Sequence, residues 1–186
     1  MIRLAILGDI GSGKSHVAKQ FGYPVFNADV EVGKLYKKSR KCYNKLKKIF
    51  PNYITSFPVK KIELSKAIMI NHQNLKKIVK IIHPEVRRMM NNFIKKNRNE
   101  KFVILDIPLL IENKLNKKND ILIYVDSNKK EISKRLKKRR NINLKIVKRF
   151  RKLQLSLEYK KKQSDFIIKN NFKANSVKKN VKIILK

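Results

Sequence analysis

The sequence predicts an α/β fold in which helices cover both faces of a parallel β-sheet. Two observations lead to this prediction. Short apolar runs alternate along the chain with stretches of helical periodicity, and a glycine-rich loop joins the first apolar run to the first helix. With 186 residues, of which 42% are hydrophobic, the chain is long enough to bury the core of one domain.

The first strand and the loop after it indicate a nucleotide-binding site. Ile2–Leu7 is an apolar strand pattern, Gly8–Ser15 fills every fixed position of the motif G-x-x-x-x-G-K-[ST], and a helix is expected from about Lys14 to Phe21. In such a loop, backbone N–H groups and the helix N-terminus surround a polyphosphate. Lys14 is expected to reach the β- and γ-phosphates, and the Ser15 hydroxyl to hold Mg²⁺. The motif predicts a P-loop NTPase-type, three-layer α/β/α fold.

The second strand, Val25–Asn27, is followed by a long helical insertion. Asp29 comes directly after this strand, where ligands of open α/β sheets bind, so it is a candidate general base toward an attacking hydroxyl. The alternative interpretation of Asp29 is a helix N-cap. From residue 30 to about 99, apolar residues recur at helical spacing as a bent helix or helix pair, with the bend at Pro84. We expect this insertion to form a helical cap that binds the second substrate.

The third strand, Phe102–Ile107, includes an acidic residue near its end. Asp106 follows four apolar residues, and burying it would be expensive without a cation or hydrogen bonds, so we expect it to join Ser15 in holding Mg²⁺. Glu112 is expected either to face the second substrate or to be an exposed helical carboxylate. His83, taken alone, is interpreted as a core or boundary residue of the insertion.

The last part of the chain predicts a lid and the end of the sheet. Strand Ile121–Val125 precedes an arginine-rich helical stretch over about 129–162, in which a turn and a new N-cap are expected at residues 141–143. Arginines on a closing lid neutralise charge during phosphoryl transfer, and we select Arg140 because it comes last before the turn. The alternative is that these arginines face solvent. Strand Phe166–Ile168 and a helix over 176–185 complete the fold.

The composition limits the classes of partner. The 48 Lys and Arg against 13 Asp and Glu give a formal charge of +35, but the excess is spread evenly over the chain. An even spread favours a genome-wide bias over a nucleic-acid interface, so we expect no specific nucleic-acid partner. No apolar run is long enough to span a bilayer. The single cysteine, Cys42, excludes an internal disulfide, and we expect a cytoplasmic protein without membrane attachment.

Considered together, these segments resemble the dephospho-coenzyme A kinases, a family of P-loop kinases, over almost the whole chain. The matching segments are Gly8–Ser15, Asn27-Ala28-Asp29 for the family's D-A-D, His83-Pro84 followed by Arg87, Pro108–Glu112 for P-L-L-x-E, and Arg140, Gln154, Ser164-Asp165 and Asn170 for the closing pattern. The chain departs from the family at Asn27 in place of Asp, His16 in place of Thr, and Ser164 in place of Ala.

The resemblance implies an enzyme that uses ATP and Mg²⁺ to phosphorylate the ribose 3′-hydroxyl of dephospho-CoA, as a monomer or small homo-oligomer. It implies one kinase domain over residues 1–186, with a core of about 1–29, 100–128 and 163–186, a CoA-binding insertion of about 30–99 and a lid of about 129–162. The residue roles that it implies are Lys14, Asp29 and Arg140 in catalysis; Gly11, Ser12, Gly13, Lys14, Ser15, His16 and Asn170 at ATP; Ser15 and Asp106 at Mg²⁺; and His83, Arg87 and Glu112 on the dephospho-CoA side.

Two other functions stay open at this stage. Another small-molecule P-loop kinase, acting on a nucleoside or nucleotide, would share the loop, the lid and Mg²⁺, but it gives no reason for the His83-Pro84 and Pro108–Glu112 segments. A non-enzymatic, nucleic-acid-binding P-loop protein is supported only by the net charge, and it predicts polyanion binding that weakens steeply with salt.

Overall fold

The computed structural model describes residues 1–139 and 143–186, and its centre is a five-stranded parallel sheet. The strands are β1 (Ile2–Gly8), β2 (Val25–Asn27), β3 (Phe102–Asp106), β4 (Ile121–Asp126) and β5 (Phe166–Lys169), in the spatial order β2-β3-β1-β4-β5. Every pair of neighbours runs parallel. The predicted fold class is confirmed, and each of these strands lies within one residue of its predicted bounds.

The helices of the described residues lie in the connections between strands, except α9, which follows β5. They are α1 (Lys14–Gln20), α2 (Ala28–Lys38), α3 (Arg40–Ile49), α4 (Lys61–Ile70), α5 (His72–Lys96), α6 (Lys129–Lys138), α7 (Leu144–Arg151), α8 (Leu157–Lys162) and α9 (Ala174–Ile184). Thus α2 to α5 lie between β2 and β3, and α6 to α8 between β4 and β5. Helix α5 continues through Pro84 as one helix. None of the described helices combines the length and apolarity needed to cross a bilayer.

The central strands β1, β3 and β4 are mostly apolar because both faces of this part of the sheet are covered. Successive side chains of a strand point to opposite faces, so Ala5 and Leu105 pack with α2 to α5, whereas Leu4 and Ile104 pack with α1 and α9. Val177 of α9 is fully buried in the second group. The sequence prediction that the last helix packs back onto the sheet is therefore confirmed.

Three helix starts differ in how well the sequence predicted them. Helix α2 is capped by Asn27, whose Oδ1 accepts a hydrogen bond from the Val30 amide at 2.9 Å. The N-cap interpretation of Asp29 is therefore wrong, and Asp29 lies in the first helical turn, where a carboxylate meets the positive end of the helix dipole. Asn143 caps α7 as predicted, whereas the break before α8, capped by Ser156, was not anticipated.

Candidate active site

The register of the sheet brings three segments together at the carboxyl ends of its strands. Asp106, the last residue of β3, lies beside Ile6 of β1 on one side and Asn27 of β2 on the other. The glycine-rich loop begins at Gly8, and Asp29 follows Asn27 in the first turn of α2. Residues that are far apart in sequence therefore converge at one edge of the sheet, where α/β proteins bind ligands.

The loop between β1 and α1 has the backbone that a phosphate cradle requires. Gly13 caps α1 with a φ of 90°, and a Cβ at this position would lie 2.4 Å from the Asn170 Nδ2. A side chain is therefore excluded by both the backbone conformation and the space. Lys14 folds back over the loop, where its Nζ donates to the carbonyl oxygens of Gly8 at 3.2 Å and Asp9 at 2.7 Å. The ammonium therefore lies against the glycine-rich loop, where the sequence predicts a polyphosphate.

Two side chains, each following the end of a strand, β4 or β5, hold the loop in place. Ser127 Oγ and Asn170 Nδ2 each donate to the carbonyl oxygen of Ser12 at 2.8 Å, and Asn170 is 3% exposed. The Ser12 hydroxyl oxygen itself is buried and has no hydrogen-bond partner among the described residues. Ser15 and His16, in the first turn of α1, are exposed to solvent. The loop thus combines a fixed backbone with polar groups that remain available to a ligand.

A short hydrogen-bond network joins the two predicted metal ligands. Asn27 Nδ2 donates to Asp106 Oδ2 at 2.5 Å and to Ser15 Oγ at 3.3 Å. Asp106 is 3% exposed, so the amide donor offsets part of the penalty for burying its carboxylate. The Ser15 and Asp106 oxygens both accept from one amide nitrogen, so the two predicted Mg²⁺ ligands lie close to the same point.

Charge and burial perturb the ionisable groups around this network. Burial raises the pKa of the Asp29 carboxyl, and the nearby Asp106 carboxylate raises it further, while Lys14 and Lys61 oppose the shift. Burial lowers the pKa of the Lys14 ammonium, against which Asp106 acts. Lys160 also lowers the Lys14 pKa, so a second buried ammonium lies close by. Such clustered perturbations are typical of functional sites.

Among the described residues, no group of three or more His, Cys, Asp or Glu side chains is arranged to hold a metal by itself. Mg²⁺ in phosphate-transfer sites is commonly held by one or two protein oxygens together with substrate phosphates and waters.

The predicted acceptor-side residues form a second group, between α5 and the segment after β3. Arg87 Nη2 donates to the Asn113 carbonyl at 3.4 Å, and His83 lies beside the Asn113 side chain. Partial burial lowers the pKa of His83, the Arg87 charge lowers it further, and the neighbouring Asn113 amide opposes both effects. Glu112 is the next residue along. His83 and Arg87 of α5 therefore lie beside the segment that contains Glu112 and Asn113.

Glu112 lies in a buried ion pair that the sequence did not reveal. Its Oε1 is 2.5 Å from Lys160 Nζ and accepts a hydrogen bond from the Leu155 amide at 3.1 Å. Lys160 is 1% exposed, and Glu112 Oε2 is buried without a hydrogen-bond partner among the described residues. The exposed-helix alternative for Glu112 is wrong, because its side chain is only 8% exposed.

The ion pair between Arg151 and Asp9 was also not predicted from the sequence. Arg151 Nε and Nη2 donate to the two Asp9 carboxylate oxygens at 3.1 and 2.8 Å, which joins the end of α7 to the glycine-rich loop. No local pattern distinguishes Arg151 or Lys160 within a chain of 48 Lys and Arg, and their partners are distant in sequence. Arg140, the predicted lid arginine, lies outside the described residues.

Both the sequence and the structure are similar to those of known dephospho-CoA kinases. The model of the dephospho-CoA kinase family matches residues 2–176. A dephospho-CoA kinase from Wolbachia pipientis wMel is 33% identical over 187 residues, covering 98% of this chain and 95% of that protein. The crystal structure of TT1252 from Thermus thermophilus superposes with a TM-score of 0.79 at 26% identity, over 99% of this chain and 96% of the other. A dephospho-CoA kinase structure from Campylobacter jejuni gives 0.62 at 21% identity, over 100% and 97%, which shows the common fold.

Proposed function

Because this chain belongs to the dephospho-CoA kinase family, we propose a mechanism in which the cluster at the carboxyl edge of the sheet performs the transfer. The enzyme phosphorylates dephospho-CoA with ATP in CoA biosynthesis. The proposal concerns the atom that accepts the phosphoryl group and the residues that act on it. The observation that supports it is the convergence of Lys14, Asp29 and Asp106, which come from three separate segments.

On the donor side, we propose that the loop from Gly11 to His16 binds the ATP phosphates. The backbone N–H groups of Gly11, Ser12 and Gly13, with those at the start of α1, face the negative charge. Lys14 exchanges its two backbone carbonyl partners for phosphate oxygens, which is favourable because a buried ammonium gains charged acceptors. Asn170 fixes the carbonyl of Ser12 and thereby the shape of the loop, close to the nucleoside end of ATP.

We propose that Ser15 and Asp106 hold Mg²⁺ together with the phosphates. The bound ion would neutralise charge on the phosphate oxygens during transfer. Asn27 donates to both oxygens and so sets their separation. An amide at this position leaves Asp29 and Asp106 as the carboxylates of the cluster, and the departure from the family's first Asp keeps one negative charge out of the site.

On the acceptor side, we propose that Asp29 takes the proton of the ribose 3′-hydroxyl as the γ-phosphoryl group is transferred. A carboxylate whose pKa is raised by burial and by Asp106 is a stronger base than an exposed one, while Lys14 helps to keep it ionised. His83 and Arg87 lie where α5 meets the segment after β3 and would hold dephospho-CoA. Glu112 supports this side through its link to Lys160, and Arg140 would act from the lid.

We further propose that the enzyme works in the cytoplasm as a monomer or small homo-oligomer, without a nucleic-acid or membrane partner. Cys42, the single cysteine of the chain, is buried as a thiol, which suits a reducing compartment. Burial raises the pKa of Cys42 to about 11, so the thiol stays protonated and unreactive at neutral pH.

The test is a coupled ADP-release assay with Mg²⁺ and ATP, comparing dephospho-CoA, adenosine, AMP and no acceptor. ³¹P NMR of the product locates the new phosphate. The proposal requires turnover that depends on dephospho-CoA and a phosphomonoester at the 3′-position. Equal turnover with AMP or adenosine, or a phosphate at the 2′-position, would contradict it.

A further inference from the structure

The loop that is to hold a triphosphate carries a carboxylate of its own. Asp9 is the second residue of the motif, its side chain is 11% exposed, and its backbone carbonyl accepts a hydrogen bond from Lys14 Nζ. A phosphate cradle works by presenting N–H groups and positive charge. A buried negative charge on the residue that Lys14 contacts therefore opposes the binding of ATP unless it is compensated.

The structure contains that compensation. The Asp9 carboxylate accepts three hydrogen bonds: two from the Arg151 guanidinium, from Nε to Oδ1 at 3.1 Å and from Nη2 to Oδ2 at 2.8 Å, and one from the Ile10 amide to Oδ1 at 2.6 Å. The planar, two-point contact is the geometry in which guanidinium groups bind carboxylates most tightly. Asp9, Arg151 and Gln154 line a common cavity of about 390 Å³ beside the loop.

Contacts of helix α7 on both sides hold Arg151 in this position. It is the last residue of α7, and two residues earlier Arg149 donates to the backbone carbonyls of Ile68 and Met69 at the end of α4. Helix α7 therefore contacts the insertion through one arginine and the phosphate loop through the other. A change at Arg151 acts on the loop without removing the contact with α4.

We propose that Arg151 is the counter-ion that makes the Asp9-bearing loop able to accept a triphosphate. It is a positioning residue for ATP, since it acts through Asp9 and through the docking of α7 on the loop. The proposal rests on the proposed role of residues 8–15 as the ATP site. It predicts that the effect of Arg151 depends on whether Asp9 carries its charge.

The test is a double-mutant cycle read by calorimetric binding of ATP, without acceptor and with EDTA, at low and at moderate salt. Arg151→Gln is expected to weaken ATP binding about tenfold, because a desolvated carboxylate then faces the phosphates. Asp9→Asn is expected to tighten binding about threefold. In the Asp9→Asn background, Arg151→Gln should weaken binding by no more than about threefold. All differences should shrink as salt is raised.

Lys152→Gln is the matched control, since it removes one positive charge from the next, exposed residue. It is expected to change ATP affinity less than twofold, and dephospho-CoA affinity should stay constant in Arg151→Gln. In steady state, Arg151→Gln should raise KM for ATP with kcat within about threefold of wild type. Should Arg151→Gln fail to fold, Arg151→Lys keeps the charge but loses the two-point contact, and it should weaken ATP binding by an intermediate factor.

Equal losses from Arg151→Gln with and without the Asp9 charge would overturn the inference, as would equal losses from Arg151→Gln and Lys152→Gln. A wild-type protein that binds no ATP would instead overturn the proposed function of the loop. The two failures are therefore distinguishable in the same experiment.

Discussion

The buried ion pair between Lys160 and Glu112 makes a quantitative prediction about stability. The Nζ and Oε1 atoms are 2.5 Å apart, and the two side chains are 1% and 8% exposed. Replacing Lys160 by Met removes the cation and leaves a buried carboxylate whose remaining partner is the Leu155 amide. Breaking a buried pair in this way typically destabilises a protein by about 3–5 kcal/mol.

The expected shift in melting temperature follows from the size of the chain. For a domain of this length, each kcal/mol corresponds to roughly 2–4 °C, so Lys160→Met should lower Tm by about 10 °C. The assay is thermal unfolding followed by circular dichroism at neutral pH. Replacing both partners, as Lys160→Met with Glu112→Leu, should recover most of that loss, because no unpaired charge is then buried.

The neighbouring residue offers a control in the same helix. Lys161 pairs with Asp126 at 2.8 Å, but the two side chains are 46% and 36% exposed. Pairs of this kind contribute about 0–1 kcal/mol, so Lys161→Met should lower Tm by no more than about 3 °C. Equal shifts for Lys160→Met and Lys161→Met would refute the reasoning that burial decides the effect.

Three further predictions concern the loop, the network behind it and the insertion. Gly13→Ala should abolish measurable ATP binding in calorimetry, because its Cβ would meet Asn170 Nδ2 at 2.4 Å. The control Gly22→Ala has a similar φ of 74° but no atom within 4 Å of the added Cβ, so it should cost only about 1–2 kcal/mol of stability. Equal ATP affinity in both variants would argue against the steric explanation. Asn27→Asp should lower the Tm of the nucleotide-free protein by placing another carboxylate beside Asp106. Added Mg²⁺ and ADP should raise the Tm of this variant by more than they raise the Tm of wild type. An equal rise would argue against a cation site at Ser15 and Asp106. Burial raises the pKa of Glu63, but hydrogen bonds from Lys60, Thr55 and Ser56 outweigh burial and lower the pKa to about 2. The contribution of Glu63 to stability is therefore present above pH 4.5 and is lost as pH falls toward 2. Urea unfolding of Glu63→Gln between those pH values should therefore show a flatter acid dependence than wild type, and an unchanged slope would contradict this.

Strands β1, β3 and β4 could be predicted closely because both of their faces are covered. Phe102–Asp106 is buried along its whole length, so its apolar run is continuous and ends where the sheet ends. The order of the strands could not be derived in the same way. Nothing in the sequence of β3 says that it lies between β1 and β2, since that depends on crossovers by helices that pack far from the strand itself.

At the site too, the residues that could be predicted are those that a local sequence pattern identifies. Lys14, Ser15 and Asp106 were predicted because a motif or a strand end fixes each of them locally. Asn27 and Asp29 are two residues apart at one strand–helix junction, and either can cap a helix, so only the geometry distinguishes their roles.

The ion pairs of Lys160 and Arg151 required the fold itself. Both are basic residues among 48, in a helical stretch where most positive charge is solvated. What distinguishes them is the partner: Lys160 meets Glu112 after β3, and Arg151 meets Asp9 in the loop after β1. Pairs across such distances in sequence leave no local pattern.

The central claim is that Asp29 is the base toward the 3′-hydroxyl in a site assembled from Lys14, Asp29 and Asp106. The most direct test is a rapid-quench measurement of one turnover by Asp29→Asn with Mg²⁺, ATP and dephospho-CoA, alongside calorimetric binding of each substrate. The account predicts that phosphoryl transfer slows by about 10²–10⁴-fold, while both affinities stay within about threefold of wild type. Transfer at the wild-type rate by Asp29→Asn would contradict it.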